Sequence, residues 1–312
     1  MNKTDKFCQN VYDKRLVLYP AHKTFILVYS FIIVGFANFI ANVLVIYTLK
    51  KTKQYVKPTL RIILYLSICD VAISLTAPAS MLTLMIFVPE KNCIVELTIK
   101  FFNSLSGYIS ACGTSLIAFD RFASVKYLNE YKIKMAKHRI NIYMLLITLA
   151  AFTVTLLSTL GSVYDFYTVS ILISSIFGSI QLITTTSLYF SAKRLVRRSR
   201  RRTRFSTHDK MALVDHKMTF LANKYMASVA VFYSLYTLTV SMNTILYKES
   251  YSTEYKSWLN LCMFFGIQIA FTNSFTNALI FLVVNKKAKR CLLNTVIPSS
   301  VVEKDSKSVQ ET

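Results

Sequence analysis

Seven apolar runs constrain this chain more than any other feature. They lie near residues 24–49, 60–88, 94–119, 140–163, 168–192, 218–247 and 258–284, and each supplies the about 20 residues needed to cross a hydrocarbon core of about 30 Å. Backbone polar groups in lipid must be satisfied within the protein, which makes helices the natural form for such runs. The expected fold is therefore all-α, a bundle of seven transmembrane helices. With 54% hydrophobic and 17% charged residues, a soluble globular domain is excluded. The break between the fourth and fifth runs is only SVYDFYT; a helix continuing through it would reduce the count to six.

The net charge of +22 would suit a nucleic-acid partner if it formed one basic face, but it is gathered between the runs. Of the 37 Lys and Arg, 27 fall in segments 50–61, 120–139, 193–217 and 285–312. The positive-inside rule then sets these segments in the cytoplasm and the N-terminus outside, although the first 23 residues carry Lys3, Lys6, Lys14, Arg15 and Lys23. Seven spans leave the C-terminus in the cytosol. The expected organisation is an extracellular tail (1–23), the bundle (24–284), and a cytoplasmic amphipathic helix and tail (285–312). The tail lacks the apolar core of a removable signal peptide, so the first helix would direct insertion. Asn2 opens the only glycosylation sequon, Asn2-Lys3-Thr4; it is either a glycan site or a chance match.

Enzymatic chemistry finds no residues to carry it. His22, His138, His208 and His216 all lie outside the runs, which leaves no ligand set for a metal inside the bundle. No phosphate-binding glycine loop, nucleophile elbow or catalytic carboxylate pair is present. The five prolines are Pro20, Pro58, Pro78, Pro89 and Pro298, so the third to seventh helices are expected to run without a proline kink.

Polar residues at membrane depth are costly and few. Asp70, in LYLSICDVAISL, reads either as a buried carboxyl serving packing or as a polar centre that binds a cation or relays a conformational change. Its candidate partners are Asn42, Ser110, Asn273 and Asn277, whose amides and hydroxyl can satisfy a carboxylate across helices. Asn273 and Asn277 are four residues apart and share a helix face. Asp120 and Arg121 end the third run in SLIAFDRFASVKYLNEY; taken alone, they could be interfacial snorkelling charges.

In chain order, GFANFIANVLV, LYLSICDVAISL, AFDRF and TNALIFLVVNKKAKR resemble the rhodopsin-like (class A) G-protein-coupled receptor family over essentially the whole chain. The resemblance implies that Asn42 is the first-helix asparagine and Asp70 the second-helix aspartate. Asp120-Arg121-Phe122 would be the DRY-type motif, and Asn277 to Phe281 the NPxxY-type motif, followed by Asn285 and a basic amphipathic turn. Ser110 and Asn273 fall where the family's allosteric sodium pocket has Ser and Asn. Tyr189 matches its fifth-helix tyrosine. The counterpart of Arg121 holds the resting state through its neighbouring acid, and engages the G protein once the sixth helix moves outward.

Departures from the family pattern are numerous. Ala278 replaces the motif proline and Phe281 its tyrosine, Tyr236 stands for the toggle tryptophan, and Leu238 for the sixth-helix proline. The family disulfide joins the top of the third helix to the second outer loop, which has no cysteine here. Cys8 and Cys93 are the candidate pair, Cys262 the other outer candidate, and no bridge the alternative. Cys291, beside KKAKR, is a candidate palmitoylation site.

The expected ligand is a small molecule or short peptide, with Lys100, Asn103, Tyr236, Asn243 and Gln268 as candidate contacts. Lys100 could instead pair with Glu96 at i,i+4, and Tyr236 and Gln268 could be interhelical glue. By the resemblance, Asn103 disfavours a monoamine and Phe271 disfavours retinal. The basic run AKRLVRRSRRRTRFS is expected to meet anionic membrane lipid, a G protein, or kinases at Ser199, Thr203 or Ser206. The expected function is ligand-driven activation of a heterotrimeric G protein at the plasma membrane. The alternatives are an ion-coupled transporter built around Asp70, which would call for more midplane charges or broken helices, and a decoy receptor that does not signal.

Overall fold

A computed structural model of the chain describes residues 21–86, 93–127, 130–163, 167–203 and 252–296; in the sixth run it describes 224, 228, 231, 232, 234–236, 238, 239 and 242. The helices are α1 (Ala21–Lys51), α2 (Pro58–Ile86), α3 (Cys93–Lys126), α4 (Lys137–Val163), α5 (Tyr167–Thr203), α7 (Thr253–Val284) and α8 (Lys286–Val296). The described residues between 224 and 242 are all helical and are called α6. A 3₁₀ turn (Gln54–Val56) joins α1 to α2, and a single helical turn (Tyr131–Lys134) follows α3. Helices α4 and α5 are separate and packed together, so the fourth and fifth runs count as two.

Local chemistry sets several ends. Pro58 opens α2, where its missing N–H would have had no helical acceptor anyway. Ser252 caps α7, its hydroxyl accepting from the Tyr255 N–H at 3.3 Å. Asn285 ends α7 and starts α8, its Oδ1 accepting from the N–H of Lys287 at 3.1 Å and of Ala288 at 3.3 Å.

Helix α3 occupies the centre, against α2, α4 and α5; α1 packs on α2 and α7, and α8 lies against the ends of α1 and α7. Among the described residues, five helices contain a window long and apolar enough to cross a membrane: Val28–Lys51, Pro58–Ala79, Lys137–Gly161, Leu172–Leu195 and Phe265–Val284. Although α3 is not one of them, its central position explains why. Its buried Ser110, Thr114, Asp120 and Arg121 meet neighbouring helices rather than lipid. The largest apolar core lies in the basic half of the bundle, where Val45, Leu49, Ile62, Ile117, Ala278 and Phe281 pack together.

At one place α1 and α2 approach too closely for a side chain. A Cβ on Gly35 would stand 2.5 Å from Pro78 Cγ and 3.2 Å from the Ser74 carbonyl oxygen, and neither a proline ring nor a helix carbonyl can swing aside. Gly35→Val is expected to cost about 1–3 kcal/mol through overpacking and to lower the thermal unfolding midpoint of the detergent-purified protein. An unchanged midpoint would show that the α1–α2 contact yields without cost.

Candidate functional site

Two polar clusters lie inside the bundle, each joining α2 to α3. In the first, Asp70 is 2% exposed, and its Oδ1 accepts from Ser110 on α3 at 2.7 Å and from Ser274 on α7 at 2.9 Å. Asn42 does not reach the carboxylate. Its Nδ2 donates to Asn38 Oδ1 at 2.7 Å, and Asn38 Nδ2 donates to the Asp70 backbone carbonyl at 3.3 Å. Asn273 turns to α6, where the Ser228 hydroxyl donates to its Oδ1 at 2.8 Å. Asn277 is buried, and its Oδ1 has no hydrogen-bond partner. Thus the structure brings Ser110 to Asp70 directly, brings Asn42 there through Asn38, and supplies Ser274 where Asn273 was expected.

The donor set gathered at Asp70 is all oxygen: one carboxylate and the lone pairs of two serine hydroxyls. Hard cations prefer such ligands. The residues therefore fit a sodium ion.

The second cluster closes the basic end of α3. Asp120 is 0% and Arg121 8% exposed. Asp120 Oδ2 accepts from Arg121 Nε at 3.0 Å, from Arg121 Nη2, and from the Thr59 hydroxyl at 2.6 Å. Its Oδ1 accepts from the Tyr131 hydroxyl at 2.6 Å. Arg121 Nη2 also donates to Thr59 Oγ1. Burial, and then the charge of Asp120, push the Tyr131 phenol above its ordinary range. Its proton therefore stays in place at physiological pH and remains available to the carboxylate. A fully desolvated ion pair is tenable only when its remaining hydrogen-bonding capacity is met, and Thr59 and Tyr131 meet it for Asp120. Neither residue was singled out from sequence, because hydroxyls near helix ends are common and the start of α2 and the turn after α3 carry no signal that they converge.

Around this cluster, Phe122 is half-buried under the Lys126 ammonium, 5.3 Å from its ring centre. Tyr189 on α5 meets Phe190, with ring centres 5.6 Å apart, and Lys193. Phe281 is fully buried in the apolar core beside Ala278. Asn285 Nδ2 donates to Gln54 Oε1 at 2.8 Å, tying the start of α8 to the 3₁₀ turn between α1 and α2. Cys291 on α8 is a half-buried free thiol.

In the opposite half, Asn103 Oδ1 accepts from Thr76 at 3.5 Å. Tyr236 packs with Ala111 and Leu182, and Gln268 Oε1 accepts from Ser30 at 3.1 Å, linking α7 to α1. The backbones of Cys93 and Lys100 belong to α3, but their side chains lie outside the described structure, as do Asn2, Cys8 and Asn243. No group of three or more His, Cys, Asp or Glu able to hold a metal occurs among the described residues.

Residues 41–281 match the profile of the 7 transmembrane receptor (rhodopsin family). Among solved structures, the crystal structure of squid rhodopsin is similar with a TM-score of 0.70 at 15% sequence identity, over 89% of this chain and 86% of that one. At that identity the likeness speaks for the fold alone. No curated protein sequence matches the chain.

Proposed function

From the premise that this chain belongs to the rhodopsin family of seven-transmembrane receptors, we propose that it binds an extracellular ligand and activates a heterotrimeric G protein through the cytoplasmic ends of α3, α5 and α6. It is a multi-pass membrane protein of a family of receptors, not enzymes. The observation that carries the reading is the buried Asp120–Arg121 pair at the basic end of α3, closed by Thr59 and Tyr131. An arginine held this way presents almost none of its charge to solvent at rest. Separation from Asp120 would present it to a partner on the cytoplasmic side.

Ligand recognition falls to the outer half, on Lys100, Asn103, Tyr236, Asn243 and Gln268, and the class is a small molecule or short peptide. Asp70, Ser110 and Ser274 would hold a sodium ion, which supplies positive charge to the buried carboxylate when bound. What these residues do themselves is couple helices: Asp70 ties α2 to α3 and α7 through two hydroxyls. Ser110 and Asp120 are ten residues apart on α3, about 15 Å along the axis. A rotation of α3 against α2 would disturb both clusters at once. In the same reading the protein resides in the plasma membrane, Cys8 and Cys93 form the outer disulfide, Asn2 carries a glycan, and Cys291 takes palmitate.

The test is reconstitution of the full chain in nanodiscs with a panel of heterotrimeric G proteins, measuring nucleotide exchange against a library of small molecules and short peptides. At least one pairing is expected to show ligand-dependent exchange. Ligand binding without exchange by any G protein would overturn the signalling reading in favour of a decoy.

A further inference from the structure

At the basic end of the bundle, outside both polar clusters, a cavity of about 290 Å³ opens between α1, the 3₁₀ turn and α2, lined by Lys50, Tyr55 and Leu64. Its walls change character with depth. Lys50 is exposed in the last turn of α1, and Tyr55 is exposed on the 3₁₀ turn. Leu64 is half-buried and lies inside the apolar window Pro58–Ala79 of α2. A charged mouth above an apolar wall, at the ends of two membrane spans, matches the boundary between lipid headgroups and acyl chains.

The cations at the mouth are available. Lys51 is turned toward α8, its Nζ donating to Tyr47 at 2.8 Å and to Thr295 at 3.2 Å. Lys50, about 100° round the helix from it, makes no hydrogen bond or ion pair among the described residues. Arg61 stands one turn before Leu64 on the same face of α2. Its Nε donates to the Tyr55 carbonyl and its Nη1 to Asn141 Oδ1 on α4, each at 3.4 Å. Both bonds are at the long limit for this kind of donor, so the guanidinium can turn to a stronger acceptor. Nothing negative offsets these charges: the sequence has no Asp or Glu at 14–69, 131–164 or 285–302, which covers α1, the 3₁₀ turn, the start of α2, α4 and α8. Glu130 is spent on Lys134 at 3.0 Å.

A soluble anion has no use for the apolar wall, and an acyl chain has none for the cations. A phospholipid meets both. A headgroup with phosphomonoesters suits this pair of cations in particular, because a guanidinium offers paired N–H donors to one phosphate and an ammonium acts as a point charge on another. We propose that the cavity between α1 and α2 binds a phosphoinositide of the cytoplasmic leaflet, its phosphorylated ring held by Lys50 and Arg61 beside Tyr55, and its glycerol and first acyl carbons lying on Leu64. The inference goes beyond the receptor reading and takes from it only the cytoplasmic placement of this end.

The test is native mass spectrometry of the full-length protein in detergent, titrated with phosphatidylinositol bisphosphate, phosphatidylserine or phosphatidylcholine. The bisphosphate lipid is expected to bind tightest. Lys50→Gln/Arg61→Gln is expected to weaken it about thirtyfold, the worth of two basic contacts. Lys286→Gln/Lys287→Gln removes the same charge from exposed positions on α8, and is expected to weaken it about threefold at most, since exposed charges at a distance are screened. Equal losses from the two pairs, no loss from the first, or phosphatidylserine bound as tightly as the bisphosphate would each overturn the proposal in favour of a diffuse basic surface. Displacement of the lipid by an equal concentration of soluble inositol trisphosphate would overturn it in favour of a free-phosphate site. If the variant at Arg61 fails to fold, Lys50→Gln against Lys286→Gln decides: about fivefold weakening for the first alone is expected, and equal effects overturn the site. No G protein or extracellular ligand enters the measurement, so its outcome is separate from that of the signalling reading.

Discussion

Arg121→Met is expected to abolish ligand-stimulated nucleotide exchange and to destabilise the protein by about 3 kcal/mol. Removing one partner of a buried ion pair costs about 3–5 kcal/mol, because the other charge is left uncompensated. The lower end applies here, since Asp120 keeps the Thr59 and Tyr131 hydroxyls, each at 2.6 Å. Asp120→Asn should act in the opposite functional direction. The amide retains an acceptor for Tyr131 but gives Arg121 no counter-charge, so the guanidinium is released and basal exchange rises. Thermal unfolding measures the first effect and nucleotide exchange the second. Ligand-stimulated exchange at the wild-type level in Arg121→Met would remove Arg121 from the mechanism.

The second large effect concerns Asp70. Sodium is expected to raise the unfolding midpoint of the wild-type protein relative to an equal concentration of a large organic cation, and Asp70→Asn is expected to erase that difference. A ligand bound only by the folded state at ten times its Kd stabilises by about 1.4 kcal/mol, well within the reach of a melting experiment. Asn at this position still accepts from Ser110 and Ser274 but lacks the charge a cation needs. The comparison therefore isolates electrostatics from helix packing. A sodium response equal in both proteins, or absent from the wild type, would show that the centre is a purely interhelical device.

The bundle was legible in the sequence because span length and charge asymmetry are strong, one-dimensional signals. The Asp70–Ser110 bond was legible too, since few residues on neighbouring spans can satisfy a carboxyl. Partners chosen by fine rotation were not. Asn273 and Ser274 differ by about 100° around the helix axis, and only the packed structure decides that Ser274 faces Asp70 while Asn273 faces Ser228. Thr59 and Tyr131 come from opposite flanks of α3 in the sequence and meet only because α2 and the turn after α3 converge on Asp120. Thr272 and Thr276 illustrate why a hydroxyl in a span carries little information: each donates to its own helix, at 2.9 and 3.0 Å.

The proline-free course of α3, α4, α5 and α7 has a mechanical consequence. A proline removes a backbone hydrogen bond and creates a compliant joint where a helix can bend. Without one, each of these helices behaves as a stiff shaft, and torque applied at one membrane face is transmitted to the other with little lost to flexure. Pro78 is the only such joint within the seven runs, and it is braced against Gly35. This bundle is thus built to turn its helices as whole bodies, with side-chain contacts between shafts acting as its bearings.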